Sequence, residues 1–356
     1  MILLAFVQAG FAAPSFEAGQ SLRVFHPTHA RDWRGAKTEA LIATVWYPVS
    51  ADKCIVEKPF FIGEPGHPLF EAGSSAVNAP IANAPGKFPV VMLSHGTGGS
   101  ALQLAWLGTV LARHGYIAVA VNHPGNNALE SYTAEGFILW WERATDISDA
   151  LDELLVDPTF GPHVDSSRIG AAGFSIGGYT VLELAGARTT QEDFLMLCEK
   201  DPKPAACDVP EMKNMGGGEQ MLAKVRVSSA ESLSRGSASY RDPRIRAVFA
   251  IAPAVGDAFR DDGFREVKIP VSMVVGQADT IAPAETNASK IHRLMPASQL
   301  TILPGGVAHY TFLDTCGAAG KAALPVYCSD AAGVDRDQVH AKVSGMAVEF
   351  FDKNLR

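Results

Sequence analysis

The chain has 356 residues, of which 47% are hydrophobic and 19% charged, and its formal net charge is −8. This length allows one large domain, or one domain with an insertion. The acidic balance and the lack of a basic run argue against nucleic acid or an anionic membrane as the main partner. No apolar stretch reaches the roughly 18 residues of a membrane-spanning helix, so no transmembrane segment is expected.

The N-terminus is apolar up to Phe11 and continues with Ala12-Ala13-Pro14. Small residues after an apolar run are typical of a signal-peptide cleavage site, although the usual positive region is missing. We therefore expect residues 1–15 to be the remnant of a signal peptide. The alternative is a buried N-terminal strand. The first interpretation predicts a periplasmic or secreted protein.

The positions of the five cysteines also favour a periplasmic or secreted protein. Cys198 lies nine residues before Cys207, and Cys316 lies twelve residues before Cys328. Two local disulfides would suit an exported protein and would leave Cys54 unpaired. Spacing does not fix the connectivity, and in a cytosolic protein all five would be reduced thiols.

Two runs rich in β-forming residues, 21–25 and 39–48, predict an antiparallel pair of strands at the start of the fold. Residues 59–86 are rich in Gly and Pro and predict a surface loop. From residue 88 onward, apolar strand-like runs alternate with helical patterns. The predicted strands are 88–94, 116–122, 168–172, 245–252, 271–276 and 299–303, and the clearest helices are 102–114, 142–156, 179–185 and 341–351.

This alternation predicts an α/β domain over residues 16–356, with a mostly parallel central sheet and helices on both faces. Residues 189–242 interrupt the pattern with several Pro, a Gly216-Gly217-Gly218 run and a Ser-rich segment. An insertion of this size after a strand–helix unit predicts a cap or pocket wall over the functional face. The alternative is a peripheral loop without such a role.

The sequence Gly173-Phe174-Ser175-Ile176-Gly177 lies between a strand-like run and a helical run. A G-x-S-x-G sequence at a strand-to-helix turn predicts a nucleophile elbow, in which strained backbone lifts the serine hydroxyl above the sheet. The turn is so tight that the positions two before and two after the serine cannot carry bulky side chains. Ser175 is therefore the candidate nucleophile.

A serine nucleophile needs a base, and with such an elbow the acid and then the histidine follow the serine along the chain. Three histidines lie beyond Ser175: His292, His309 and His340. His292 falls inside a helical pattern and His340 at the start of the last helix. His309 follows the last predicted strand in a Gly-rich loop, and it is the candidate base.

The candidate acid is Asp279, which follows the predicted strand 271–276 at a position from which it can orient the His309 imidazole. The same residue can also serve as a helix N-cap. Asp257, after the preceding strand, is the main rival.

The Gly-rich run His95-Gly96-Thr97-Gly98-Gly99 follows the strand 88–94. Glycines there allow backbone N–H groups to approach a substrate oxygen, so the Thr97 and Ile176 amides are the candidate oxyanion donors. The run lacks the lysine and the spacing of phosphate-binding loops. His95 precedes the serine and is interpreted as a buried structural histidine.

The elbow, the His-Gly-x-Gly-Gly run, Gly-Gln-Ala-Asp at 276–279 and the late His309 together resemble the α/β-hydrolase superfamily. Within it, residues 44–48, 122–126 and 140–143 are similar to the predicted dienelactone hydrolase and platelet-activating-factor acetylhydrolase-like group. The resemblance covers most of the chain from about residue 20, except 189–242.

The chain departs from both named groups. Dienelactone hydrolases use a cysteine nucleophile, whereas this chain has Ser175. Platelet-activating-factor acetylhydrolases take their acid from the end of the earlier strand, which here reads Ile251-Ala252-Pro253 without a carboxylate. This departure favours Asp279.

The expected function is hydrolysis of carboxylic esters, of small molecules or of a polymer, without a metal or organic cofactor. His123, Trp140 and Trp141 follow the second parallel strand and are candidate pocket residues, with burial in the core as the alternative. An amidase, peptidase or acyltransferase with the same triad is a second reading of the sequence. A non-catalytic binding protein on the same fold is a third, since one fold hosts many functions.

Overall fold

The computed structural model describes residues 16–27, 40–51, 55–190, 207, 209–212 and 215–356. The predicted signal remnant 1–15, Cys54 and Cys198 lie outside these residues. The strands are β1 (Glu17–Phe25), β2 (Leu41–Val49), β3 (Lys58–Glu64), β4 (His67–Val77), β5 (Phe88–Ser94), β6 (Ile117–Val121), β7 (Val164–Phe174), β8 (Ile245–Ile251), β9 (Val271–Gly276), β10 (Gln299–Leu303) and β11 (Thr315–Cys316).

The helices alternate with the later strands. They are α1 (Ala105–Arg113), α2 (Ala134–Ile138), α3 (Glu142–Val156), α4 (Ile176–Leu184), α5 (Gly217–Ser228), α6 (Ala230–Ser234), α7 (Ala288–Leu294), α8 (Ala318–Ala323), α9 (Pro325–Cys328) and α10 (Arg336–Leu355). Among the described residues, no helix is both long enough and apolar enough to cross a membrane.

The strands form one sheet in the order β10-β9-β8-β7-β5-β6-β2-β1-β4-β11, with β3 paired to β4. Neighbours from β10 to β6 are parallel, whereas β2 pairs antiparallel with both β6 and β1. The predicted α/β architecture, with a mostly parallel sheet entered through an antiparallel pair, is therefore confirmed.

Strand β5 shows how the sheet is covered on both faces. Successive side chains of a strand point to opposite faces; accordingly Val90 and Met92 join one buried cluster, and Val91 and Leu93 join the other. Helices α3 and α4 contribute to the first cluster, and α1 and α10 to the second. The continuous apolar sequence of β5 is thus explained by burial on both sides.

The prediction of a surface loop over residues 59–86 is wrong up to Val77, because β3 and β4 form an antiparallel hairpin there, whereas residues 78–86 belong to no helix or strand. Gly66 adopts φ 83° at its turn and Gly63 adopts φ 119° beside a register shift. Glycine tolerates these left-handed conformations. The glycines therefore mark the turn and the irregularity of a hairpin, while Phe60 and Ile62 pack on the core.

The interval 189–242 contains a 3-10 turn at Pro210–Met212 and the helices α5 and α6. Helix α5 packs against α2, and its side chains Met221 and Val225 are fully buried. The described part of this interval is therefore anchored to the core of the domain by apolar contacts.

Candidate active site

Ser175 lies at the junction of β7 and α4, where the chain reverses sharply. Its backbone adopts φ 57° and ψ −121°, a conformation that costs a non-glycine residue energy. A Cβ at Gly173 would collide with the backbone of Gly177, and one at Gly177 with the carbonyl of Ser94. The strained turn and the two obligatory glycines have the geometry of a nucleophile elbow.

His309 faces this serine from the loop after β10. It begins a 3-10 turn, His309–Phe312, and its imidazole is buried. Its Nε2 lies 2.9 Å from Ser175 Oγ. For the serine hydroxyl to donate to Nε2, the imidazole proton must be on Nδ1.

Asp279 accepts that proton's hydrogen bond. Its Oδ2 lies 2.7 Å from His309 Nδ1. Its Oδ1 accepts hydrogen bonds from the backbone N–H groups of Ile281 and Ala282, at 3.0 and 2.7 Å. Asp279 therefore contacts both the histidine and the turn that follows it, but the alternative of a helix N-cap is wrong, because α7 begins at Ala288 and its N-cap is Asn287.

The rival residues lie elsewhere. Asp257 is partly exposed and pairs with Lys290, whose Nζ is 3.5 Å from its Oδ1. His292 Nδ1 bonds the Ser298 hydroxyl at 2.9 Å. His340 stacks on Trp106, with ring centroids 4.5 Å apart. Of the histidines considered after Ser175, His309 is the one that contacts it.

The turn after β5 is held on both sides of Thr97. The Gly96 N–H donates to Gln103 Oε1 at 2.8 Å, and the Gly98 N–H donates to Asn126 Oδ1 at 2.6 Å. Thr97 lines the same cavity as Ser175 and His309. Ile176 is the first residue of α4, where backbone N–H groups have no partner within a helix. Thr97 therefore borders the cavity of Ser175, and the Ile176 amide lies at the start of the helix that follows the serine.

The cavity at Ser175 has a volume of about 210 Å³. Its walls are mainly aromatic and aliphatic. They include Phe70, Phe174, Tyr132, Tyr310 and Tyr327. A small, largely apolar cavity with a few polar groups is the usual form of a small-molecule site.

Two acidic residues that the sequence did not indicate, Glu211 and Asp314, also line this cavity. Burial raises the pKa of Glu211, and it raises that of the Asp314 carboxyl well above its usual range. Neither residue belongs to a recognisable motif. Their position depends on how the interval 189–242 and the loop after His309 fold back over the site.

The predicted pocket residues His123, Trp140 and Trp141 do not line this cavity, and in this respect the prediction is wrong. His123 and Trp141 are fully buried, and Trp140 is 6% exposed. The Trp141 Nε1–H donates to the Ser232 hydroxyl of α6 at 3.1 Å. The tryptophans turn inward because α6 and its neighbours cover them, so they serve as core residues.

His123 instead belongs to a buried network behind the oxyanion turn. Its Nε2 lies 2.9 Å from Ser94 Oγ and its Nδ1 lies 2.9 Å from Asp146 Oδ2. His95 is buried as predicted, and its Nε2 accepts a hydrogen bond from the His123 backbone N–H at 3.2 Å. Arg143 donates to the His95 carbonyl. The network ties the ends of β5 and β6 to α3.

No cluster of three or more His, Cys, Asp or Glu side chains suited to a metal ion occurs within the described ranges. The hydrogen-bonded residues Ser175, His309 and Asp279, with the cavity beside them, form the candidate site.

Comparison with known proteins finds similarity to an acetylhydrolase family, to cutinases and to a lipase. A family model described as "Platelet-activating factor acetylhydrolase, isoform II" matches residues 19–137. Cutinase est2 of Thermobifida alba is 29% identical over 135 residues, which are 36% of this chain and 41% of the cutinase. Lipase 1 of Moraxella sp. (strain TA144) is 32% identical over 87 residues, 24% of each chain. The chain therefore matches less than half the length of these curated relatives.

A solved structure, that of a ferulic acid esterase from Streptomyces cinnamoneus, superimposes with a TM-score of 0.60. The alignment covers 97% of this chain and 93% of the esterase, at 19% sequence identity. This likeness concerns the fold. The chain is accordingly a protein of the α/β-hydrolase fold, similar to the esterase-like members of that superfamily.

Proposed function

We propose that this protein is a serine-dependent carboxylic ester hydrolase, with Ser175, His309 and Asp279 as its catalytic triad. The observation that carries the proposal is the continuous hydrogen-bonded chain from Ser175 Oγ through the His309 imidazole to Asp279 Oδ2, at 2.9 and 2.7 Å. Two of these three residues, Ser175 and His309, line a cavity, so a substrate can reach the serine hydroxyl. A serine that no substrate can reach would have no use for a histidine that takes its proton.

In the proposed mechanism, Ser175 Oγ attacks the ester carbonyl carbon as His309 Nε2 takes the hydroxyl proton. The carbonyl oxygen becomes negative and accepts hydrogen bonds from the Thr97 and Ile176 amides. His309 then gives its proton to the departing alkoxide, and an alcohol leaves. Water, deprotonated by His309, attacks the acyl-serine ester, releases the carboxylic acid and restores the Ser175 hydroxyl.

The relatives support an ester as the substrate class. The matched proteins include cutinases, a lipase and, by fold, a ferulic acid esterase. The cavity of about 210 Å³ suits a small substrate, or one short arm of a larger one.

We further propose that the interval of about 189–242 acts as a cap over the site. Val209 and Glu211 from this interval line the cavity together with Ser175, which supports this role. The alternative of a peripheral loop predicts that shortening the interval leaves ester preference unchanged.

Export from the cytoplasm is also proposed. Cys316 and Cys328 form a disulfide, the pair expected from the sequence, and disulfides persist in oxidising compartments. Cys207 is disulfide-bonded as well, and its predicted partner Cys198 lies outside the described residues. The signal remnant stays a prediction that N-terminal sequencing of the mature protein can test.

The proposed activity is tested by hydrolysis of p-nitrophenyl acetate and butyrate. Wild-type protein should turn over at least one of them, and Ser175→Ala should lose nearly all of this activity while keeping the wild-type circular dichroism spectrum. Matched p-nitroanilides distinguish an amidase, which would cleave the anilides at comparable rates. Equal activity of wild type and Ser175→Ala would contradict the proposal.

A further inference from the structure

Glu211 is a carboxyl group placed at the candidate active site by the interval 189–242. It lies in the 3-10 turn Pro210–Met212 and lines the same cavity as Ser175 and His309. A Cβ built on Gly98 would lie 3.2 Å from Glu211 Cγ. The side chain therefore packs directly on the turn that carries the Thr97 amide.

Tyrosines hold this carboxyl in place. The Tyr310 hydroxyl donates to Glu211 Oε1 at 3.3 Å. Tyr327 packs edge-on against Tyr310, with ring centroids 4.9 Å apart, and lines the cavity beside it. The Tyr132 hydroxyl donates to the Gly98 carbonyl at 2.9 Å, so it closes the same side of the cavity. The Glu211 carboxyl is thus a polar group held in position within a wall of aromatic side chains.

The charge around Glu211 determines what it can bind. Among the residues that the structure describes, no lysine or arginine lines the cavity, whereas Asp314 is a second acidic residue there. An anionic substrate would therefore find no cationic side chain to pair with in this cavity. An ionised carboxylate has about four acceptor positions, and hydrogen bonds from the Tyr310 and Tyr327 hydroxyls and from the Glu211 backbone N–H occupy three of them. Acceptor capacity thus remains for a donor on a ligand.

We propose that Glu211 is a specificity-determining residue that accepts a hydrogen bond from a hydroxyl group on the substrate. The preferred esters would then carry an uncharged, hydroxyl-bearing aromatic arm, since the surrounding wall is built of tyrosine and phenylalanine rings. This inference rests on the proposed ester hydrolase function and names the substrate class of that site. The mechanism of ester cleavage itself does not involve Glu211.

The test compares esters that differ by one hydroxyl group. Ethyl phenylpropanoate and its para-hydroxy derivative probe the acyl arm, and phenylethyl acetate and its para-hydroxy derivative probe the alcohol arm. For one arm, wild-type protein should show a kcat/KM for the hydroxylated ester about tenfold higher than for its partner, the usual effect of one hydrogen bond to a charged group. The ratio, rather than the rate, is the readout.

Variants identify the residue responsible. Glu211→Leu should bring the ratio to about one, because a buried hydroxyl would lose its acceptor. Glu211→Gln keeps an acceptor oxygen and should retain part of the preference. The matched control is Glu219→Leu, in the exposed first turn of α5 within the same interval, which should leave the ratio at its wild-type value. A ratio near one in the wild type for both arms overturns the proposal, and so does a preference that survives in Glu211→Leu.

Binding to Ser175→Ala separates this inference from the proposed function. Titration calorimetry with the same ester pairs should give a Kd about tenfold lower for the hydroxylated ester, and no difference after Glu211→Leu is added. This result would support recognition by Glu211 even if the wild type hydrolysed no ester. Equal Kd values for both members of each pair would overturn it, whatever the activity.

Discussion

Asp279 uses its two carboxylate oxygens for two different tasks: Oδ2 meets His309 Nδ1 at 2.7 Å, and Oδ1 meets the backbone N–H groups that follow it. The backbone contacts fix the carboxylate, and the carboxylate fixes the plane of the imidazole. His309 therefore presents Nε2 to Ser175 without further rearrangement. This arrangement is the basis of the first prediction.

Asp279→Asn should lower kcat by about 10⁴-fold. An amide nitrogen in place of Oδ2 would favour the wrong imidazole tautomer, in which Nε2 carries the proton and cannot accept one from the serine. The measurement is kcat on p-nitrophenyl acetate, with circular dichroism as the check of folding. The matched control is Asp257→Asn, in the 3-10 turn that follows the neighbouring strand β8, and it should change kcat by less than about threefold. A larger loss from Asp257→Asn would instead identify that residue as the acid.

Removal of the disulfide should destabilise the wall of the cavity. The Cys316–Cys328 bridge closes a loop that contains α8 and ends in α9, and Leu324 and Tyr327 of this segment line the cavity. For a loop of this length, the double variant Cys316→Ser/Cys328→Ser should lower the free energy of unfolding by about 3 kcal/mol. Equilibrium denaturant unfolding of both proteins without reductant measures the difference. Superimposable unfolding curves would show that the bridge has no stabilising role.

Asp146→Ala should be strongly destabilising. Asp146 is almost completely buried and pairs with the buried His123, which in turn contacts Ser94 at the end of β5. Removal of one partner from a buried pair of this kind costs about 3–5 kcal/mol, because the other partner is left in the core. Equilibrium denaturant unfolding of wild type and variant measures this change in the free energy of unfolding. The matched control is Asp257→Ala, whose partly exposed ion pair should contribute less than about 1 kcal/mol. Equal effects of the two substitutions would contradict this account.

His340 should make stability depend on pH between about 6.5 and 4. Burial lowers the pKa of His340 to about 4, whereas an unfolded histidine titrates near 6.5. In this range the unfolded chain binds the proton and the folded protein does not, so stability falls as the pH is lowered and rises as it is raised. The contribution from this residue is up to about 3 kcal/mol.

The comparison for this prediction is His340→Gln, which can still donate a hydrogen bond to the Thr311 carbonyl that His340 Nε2 contacts at 3.1 Å. Denaturant midpoints are measured for both proteins at several values of pH across the range. Between neutral pH and pH 4 the wild type should lose more stability than the variant. Parallel curves for the two proteins would show that His340 is not a buried neutral histidine.

Much of this fold could be predicted from the sequence, because in the parallel part of the sheet the local hydrophobic pattern agrees with the burial of each element in the fold. Strands β5, β9 and β10 and helix α3 have the predicted bounds, since each is a short apolar run or an amphipathic pattern with clear ends. The β3–β4 hairpin was missed because its glycines, which were interpreted as signs of a loop, serve its turn and its irregularity. Its apolar residues, among them Phe60 and Ile62, are only partly buried, and they stand next to these glycines in the sequence.

The candidate triad was predictable because its members follow strand ends in a fixed order, whereas the cavity wall was not. Glu211 reaches the site through an interval with no recognisable pattern, and its role depends on contacts with Tyr310, 99 residues later in the chain. His123 and the two tryptophans follow the correct strand, but packing by α6 turns Trp141 into the core. Side-chain direction of this kind depends on long-range packing, which no local pattern encodes.

The most direct test of the central claim is treatment of the folded wild-type protein with a fluorophosphonate, followed by mass spectrometry of its peptides. The account predicts a single adduct on Ser175, with hydrolysis of p-nitrophenyl esters lost in proportion to labelling, because His309 makes the Ser175 hydroxyl the reactive nucleophile. The Ser175→Ala variant should remain unlabelled. Folded protein that turns over esters without an adduct on Ser175, or that carries its adduct on another serine, would contradict the account.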